Sequence, residues 1–382
     1  MVGKTPPRTD QALAEEIEPE ELAARIGALP GVDRLRAAAG GSAHLVGGIV
    51  RDLLLGRERV DIDVVVEGDA AALARDLDPE AVVHERFGTA SARFDGLHYD
   101  IASARSETYP HPGALPEVRT GGLAEDLARR DFTVNAMAVP LDGGALVDPH
   151  GGAHDLADRV LRVLHDRSFA DDPTRALRAA RYASRLGFEV EEATLEQLRA
   201  ADLGTVSEQR VEAELRRIAM EADPPAAIAL AAEWGLLDVT GDDLALLKRA
   251  LATLREAPWP ALATAPGVVA AVALRAKGGP LQQARTLAAA KPTGASAGVE
   301  AAHGHDGTTL LLARAAGAEW VQSYAADWRH IRLEISGDDL MAAGVEQGPA
   351  IGRGLSAALK AKLDGEASGR DDELRVALEA AR

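Results

Sequence analysis

No cysteine occurs anywhere in the 382 residues, which excludes disulfides, a thiolate zinc site and a thiol nucleophile. Aromatic residues are scarce, at 3%. No apolar run approaches the roughly 18 residues a membrane helix needs, and the polar start with Pro6 and Pro7 lacks a signal-peptide pattern. A cytoplasmic location without membrane contact is therefore expected. Basic residues are outnumbered 42 to 60, giving a net charge of −18, which argues against indiscriminate binding of nucleic acid through a basic surface. A G-x-G-x-x-G fingerprint is missing, so a dinucleotide fold has no support, and no internal repeat is evident.

The length implies two or more domains, and 47% hydrophobic with 27% charged residues is the composition of a globular chain. The negative excess is uneven. Between Arg159 and Arg217, eleven arginines balance eleven acidic residues, so a local arginine-rich face can form there.

One stretch concentrates chemistry. From His44 to Glu67, a short apolar run leads into Gly47-Gly48, then Arg51-Asp52, and ends in Asp61-Ile62-Asp63 within a β-branched run. That last piece reads as a strand, whose side chains alternate, so Asp61 and Asp63 share a face about 7 Å apart. Two carboxylates so placed repel unless a cation joins them, and Mg²⁺, a hard ion held by one or two carboxylates and substrate phosphates, suits the pair. Gly47 and Gly48 would let backbone N–H groups approach phosphate at a helix N-terminus, with Arg51 as fork donor. Each part alone is commonly structural, an edge strand or a plain turn.

Further along, 69–77 reads as a helix and 82–84, 92–94 and 97–103 as strands, the last carrying Asp100. The Pro- and Gly-dense 105–122 reads as a loop. The run Ala128-Arg129-Arg130-Asp131-Phe132-Thr133-Val134-Asn135-Ala136-Met137-Ala138 reads most simply as a helix with Phe132 and Met137 inward. Asp148-Pro149-His150-Gly151-Gly152 follows as a turn. At Asp171-Asp172-Pro173-Thr174-Arg175, Asp172 and Pro173 make a good helix start, and Arg178 and Arg181 continue a row that slants around the helix. The plain reading makes Asp172 a cap and the arginines a solvated face.

In this order and spacing the three runs resemble the DNA polymerase beta-like nucleotidyltransferases, in particular the class II group of tRNA CCA-adding enzymes and bacterial poly(A) polymerases. The resemblance implies an α+β fold: a small head of mixed sheet and helices, followed by an all-α neck, body and tail. It implies attack of a tRNA 3′-hydroxyl on CTP or ATP, with Asp61 and Asp63 holding Mg²⁺ and Asp100 a candidate third carboxylate. It makes Gly47, Gly48, Arg51, Arg130, Asn135, Asp172, Arg175, Arg178 and Arg181 nucleotide-binding residues, and 105–122 a flexible loop. The third run matches E-D-x-x-R-x-x-R-x-x-R with its first acid replaced by Asp171. Full addition of C, C and A is the first expectation; addition of CC or A alone, or of poly(A), stays open. An RNA-binding module with a decayed site is disfavoured by the intact motifs.

Beyond Phe188 the Ala-rich chain reads as helices, with 277–280 and 294–304 as Gly-rich joints. His303-Gly304-His305-Asp306 reads as a polar loop rather than a metal site. The expected organisation is an N-terminal extension (1–38), head (39–150), neck (151–220), body (221–330) and RNA-binding tail (331–382). No protein partner is evident.

Overall fold

The computed structural model describes residues 19–57, 61–85 and 88–382, without the side chains of Pro19 and Asp61. The chain forms two compact units. The first runs up to Glu214 and includes Glu233–Leu236; the second comprises Leu215–Ala232 and Leu237–Arg382.

In the first unit, helices α1 (Pro19–Gly27) and α2 (Val32–Ala39) lead to strand β1 (Ala43–Val46), α3 (Gly48–Leu54), β2 (Asp61–Val66), α4 (Ala70–Leu77), β3 (Val82–His84), β4 (Thr89–Phe94) and β5 (Leu97–Ser103). A hairpin of β6 (Arg105–Thr108) and β7 (Glu117–Thr120), then α5 (Leu123–Ala128) and β8 (Ala138–Pro140), follow. Six strands join in the order β3-β4-β5-β2-β1-β8. Only β2 and β5 run parallel, at its centre, while the other neighbours are antiparallel. Alternation in the β-branched run decides the faces. Ile62, Val64 and Val66 are buried on one side, while Val65 joins Val46, Leu127 and Ala138 in a cluster on the other, the side to which Asp63 belongs. The chain then adds α6 (Gly152–Ala157), β9 (Val160–Leu161), α7 (Ser168–Asp171), α8 (Thr174–Leu186), β10 (Glu189–Val190), α9 (Glu192–Arg199) and α10 (Glu208–Ala219), whose residues from Leu215 onward fall in the second unit.

The second unit is helical: α11 (Pro224–Glu233), α12 (Gly241–Thr253), α13 (Ala265–Leu274), α14 (Pro280–Ala289), α15 (Ala295–Ala302), α16 (Gly307–Ala315), α17 (Trp320–Ala326), α18 (Gly337–Ala342), α19 (Pro349–Leu363) and α20 (Gly369–Ala381). Among the described residues no helix is long and apolar enough to cross a membrane.

Three expectations are corrected. Residues 105–122 are a paired hairpin, Arg105 opposite Thr120 through Thr108 opposite Glu117, rather than a loop throughout. Residues 128–138 are not a helix: α5 stops at Ala128, and the run turns through a 3₁₀ segment, Thr133–Asn135, into β8. Asp131 causes the turn by accepting from the Phe132 N–H (2.9 Å) and the Asn135 amide (3.0 Å), bonds that compete with helix. The 294–304 stretch is mostly α15, where Gly298 admits the Trp328 ring; a Cβ there would lie 2.5 Å from it. The His303–Asp306 loop is structural, since Asp306 caps α16 through the Thr309 N–H and His305 meets Gln283.

Candidate active site

Asp63 and Asp100 are register partners on the parallel strands β2 and β5, and the backbone of Asp61 pairs in register with His98. The Asp61 side chain lies outside the described residues. Asp63 is half-buried, whereas Asp100 is exposed and accepts a hydrogen bond from Ser91 Oγ at 2.7 Å. Parallel pairing thus brings together two strands separated by more than thirty residues and sets their carboxylates side by side.

The turn before α3 needs its glycine. Gly47 has φ +70°, and a Cβ there would lie 2.6 Å from Arg130 Nη1. Among the described residues no side chain caps α3. Arg130 donates to Asp126 Oδ2 (2.9 Å) and the Asn135 carbonyl (3.4 Å), while its Nε is buried without a hydrogen-bond partner among the described residues. Arg130 therefore keeps a donor in reserve beside the turn.

Arg51 is placed otherwise than as an exposed phosphate fork. It is 0% exposed; its guanidinium donates to Asp52 Oδ1 at 2.9 Å and to Asn135 Oδ1 at 2.5 Å. Asn135 is likewise committed, passing its amide hydrogen to Asp131 Oδ1. Asp131 in turn accepts two bonds from Arg178 through Oδ2, at 2.8 and 2.5 Å. Burial alone would raise the Asp131 carboxyl, but Arg178 and Asn135 override it and hold it at about 2. The same carboxylate pushes Arg178 well above the ordinary guanidinium value against the opposing effect of burial. A continuous relay, Arg51–Asn135–Asp131–Arg178, buried as far as Asp131, runs from the Gly-Gly turn to α8.

Asp148 and its glycines anchor the next turn. Asp148 accepts from Gly152 and Ala153 N–H at 2.7 and 2.9 Å, and a Cβ on Gly152 would lie 2.2 Å from the Thr133 carbonyl oxygen.

On α8 the arginines are not a solvated face. Arg175 and Arg181 are buried, and Arg178 keeps 28% of its side-chain exposure. The Arg175 guanidinium donates to Ser168 Oγ and the Arg129 carbonyl, both at 2.7 Å, while its backbone N–H donates to the Asp172 carbonyl at 3.0 Å. Asp172 accepts from Thr174 N–H (3.0 Å), Thr174 Oγ1 (2.6 Å) and Arg210 Nη2 (2.8 Å), all on Oδ1, and so does serve as a cap. Arg210 escaped the sequence reading. It binds Asp172 with one nitrogen and, with another, the carbonyl of Gly113 at the hairpin tip (2.8 Å). Gly113 fits tightly there, with φ +72° and its Cβ position 2.6 Å from the Thr205 carbonyl. Nothing in the spacing of Arg210, 38 residues past Asp172, announces the contact.

Ion pairs hold the hairpin base. Glu107 Oε1 accepts from Arg105 Nη2 (2.9 Å) and Arg129 Nη1 (3.0 Å), and the buried Asp126 takes both Arg129 and Arg130. Tyr109 donates to Glu107 Oε2 at 3.0 Å, and burial, with Glu107 beside it, pushes its phenol up to about 12.

Carboxylates paired across central strands, a Gly-Gly turn and a helix bearing buried arginines define a polymerase beta-like nucleotidyltransferase head. Comparison with known proteins agrees. Residues 43–162 match the family described as Poly A polymerase head domain. The chain is 36% identical to a CC-adding tRNA nucleotidyltransferase of Deinococcus radiodurans, over 90% of this chain and 91% of that one. It is 49% identical to an A-adding tRNA nucleotidyltransferase of Aquifex aeolicus over 174 residues, 44% of this chain and 21% of that one. The chain spans less than half the length of the A-adding relatives it matches. Among solved structures, an apo CCA-adding enzyme superposes with TM-score 0.76 at 28% identity, covering 96% of this chain and 97% of that one. The Thermotoga maritima CCA-adding enzyme complexed with tRNA gives 0.68 at 29% identity, covering 97% and 98%. The chain belongs to the class II tRNA nucleotidyltransferase family, which includes bacterial poly(A) polymerases.

Proposed function

We propose that this chain is a nucleotidyltransferase that adds C, C and A to the 3′ end of tRNA from CTP and ATP, without a nucleic-acid template, releasing pyrophosphate. The observation that carries the reading is the register pairing of Asp63 with Asp100 beside the Gly47 turn and the arginine relay. The donors are carboxylate oxygens only, which fits Mg²⁺; Asp61 and Asp63 would hold it, with Asp100 adjacent. Bound there, the ion would activate the RNA 3′-hydroxyl and offset charge on the leaving pyrophosphate.

The chain's own residues divide the remaining work. Gly47 and Gly48 bring backbone close to the nucleotide phosphates, and Arg130, with its spare Nε, donates to them. Arg51 and Asn135 act through the relay, setting Arg178. Asp172 and Arg175 read the base, the Arg175 guanidinium turning from Ser168 and the Arg129 carbonyl toward Asp172 when a nucleotide binds: cytosine and adenine each offer an amino donor next to a ring-nitrogen acceptor, which complements a carboxylate beside a guanidinium. Uracil and guanine reverse the pattern and leave buried polar groups unpaired, at a cost on the order of 1–3 kcal/mol each.

Likeness over nearly the whole chain to CCA-adding enzymes supports the full product. The 49% identity to an A-adding enzyme over 174 residues favours a second reading, addition of A alone. One assay separates them: tRNA ending at the discriminator base is given CTP and ATP, separately and together, and the products are sequenced. Full CCA ends are expected. Extension only of tRNA already ending in CC supports the second reading, and equal extension of oligo(A) points to poly(A) synthesis. We read 1–38, 39–150, 151–220, 221–330 and 331–382 as extension, head, neck, body and RNA-binding tail; a separate apolar cluster of Ile335, Leu340, Ala358, Ala377 and Ala381 supports the last.

A further inference from the structure

Tyr182 occupies an unusual place. The guanidinium carbons of Arg51, Arg178, Arg181 and Arg185 lie 5.4, 5.5, 4.6 and 5.1 Å from its ring centroid. Its hydroxyl oxygen accepts from Arg178 Nη2 at 3.2 Å, and its ring meets Phe132 edge-on at 5.9 Å. Three separate segments therefore meet on one buried side chain: α3 through Arg51, the 131–135 turn through Phe132, and the arginine row of α8.

Four guanidiniums in so small a space repel one another, and carboxylates stand close to them. Asp131 takes Arg178, Glu214 lies 3.8 Å from Arg178 and 3.9 Å from Arg181, and Asp52 holds Arg51. An aromatic ring adds what a carboxylate cannot, because its negative faces attract several cations at once without fixing any of them in a bidentate fork. We propose that Tyr182 is a positioning residue for the nucleotide, its ring spacing Arg178 and Arg181 on α8 and locking that row to Arg51 and the turn that carries Asp131. An aliphatic side chain of similar bulk fills the space but leaves the guanidiniums to spread apart.

The proposal rests on the nucleotidyl-transfer reading, and the experiment separates the two. Tyr182→Phe and Tyr182→Leu are compared with wild type for nucleotide incorporation into tRNA lacking its 3′ end and for calorimetric binding of ATP, both with Mg²⁺. In Tyr182→Leu the KM for ATP and CTP rises about tenfold with kcat within about threefold, and Tyr182→Phe, which keeps the ring, stays within about twofold of wild type. Thermal unfolding is followed alongside. A variant that loses stability yet keeps wild-type KM and ATP affinity overturns the role, as does a Phe variant as impaired as Leu. Should Tyr182→Leu fail to fold, Tyr182→Met, flexible enough to repack, carries the same expectation. Absence of incorporation by wild type overturns the transfer reading alone, while ATP binding still tests Tyr182; absence of ATP binding by wild type overturns both.

Discussion

Replacing Asp131 by Asn tests the relay at its most charged point. The carboxyl sits at about 2 against an ordinary 3.8, because Arg178 and the Asn135 amide outweigh the effect of burial. At about 1.4 kcal/mol per pH unit, the ionised form contributes about 2 kcal/mol to the folded state. A depressed carboxyl gives its stabilisation above the unfolded value and loses it as pH falls through the folded one. The contribution is therefore complete near neutrality, down to about half at pH 3 and nearly gone at pH 2. Asp131→Asn should lower stability at pH 7 by about 2–4 kcal/mol, the upper part reflecting an Arg178 left with only the more distant Glu214. The gap to wild type should narrow as the medium is acidified. Of the four tryptophans, Trp234 is grouped with the first unit and Trp259, Trp320 and Trp328 with the helical one, so intrinsic fluorescence mixes the two; amide hydrogen exchange of α8 peptides reads the right region. A stability gap of equal size at pH 7 and pH 3 would refute the ion-pair account.

Other outcomes follow from individual contacts. Gly152→Ala should destabilise the first unit by about 3 kcal/mol or more, since the new Cβ meets a backbone carbonyl that cannot swing away; denaturant melts check this. Gly47→Ala combines a positive-φ conformation open essentially to glycine alone, costing about 1–3 kcal/mol, with displacement of the Arg130 guanidinium, so nucleotide affinity should fall more than stability does. Asp172→Asn keeps a helix cap but presents a donor, so single-turnover incorporation of UTP or GTP should rise; unchanged selectivity and rate would leave Asp172 a cap only. Asp63→Ala should abolish incorporation while amide exchange in β2 stays slow, and substantial labelling of tRNA by that variant would remove Asp63 from the metal site.

The sequence made the sheet legible wherever apolar alternation was strong. The β-branched residues around Asp63 are β2, and the helix beginning after Asp69 is α4, with that aspartate capping it. The hairpin was not legible. Arg105 to Thr108 and Glu117 to Thr120 carry no apolar stripe, and their pairing is supported by Glu107 bridging Arg105 and Arg129, which composition cannot reveal. The roles of Arg51 and Asn135 were hidden for a related reason. A motif gives the residue type but not which way its donors face, and here Arg51 turns inward onto Asn135 and Asp52 while Asn135 turns onto Asp131. Arg210 reaches Asp172 only because α10 folds back on the start of α8, a long-range event with no local signature.

The tail cluster differs in kind from the sheet. Three of its five buried residues are alanines, and Gly354 lets α19 approach α20 so closely that a Cβ would lie 2.6 Å from the Ala377 carbonyl oxygen. Small side chains bury little area, at about 25 cal/mol for each Å², so this end is held by snug backbone contact and by Lys362 reaching the buried Glu373 at 2.6 Å. Such a joint tolerates almost no added bulk at Gly354, and each helix secures the other. Loosening either one releases both, so the last fifty residues should come undone as one piece, like a clasp.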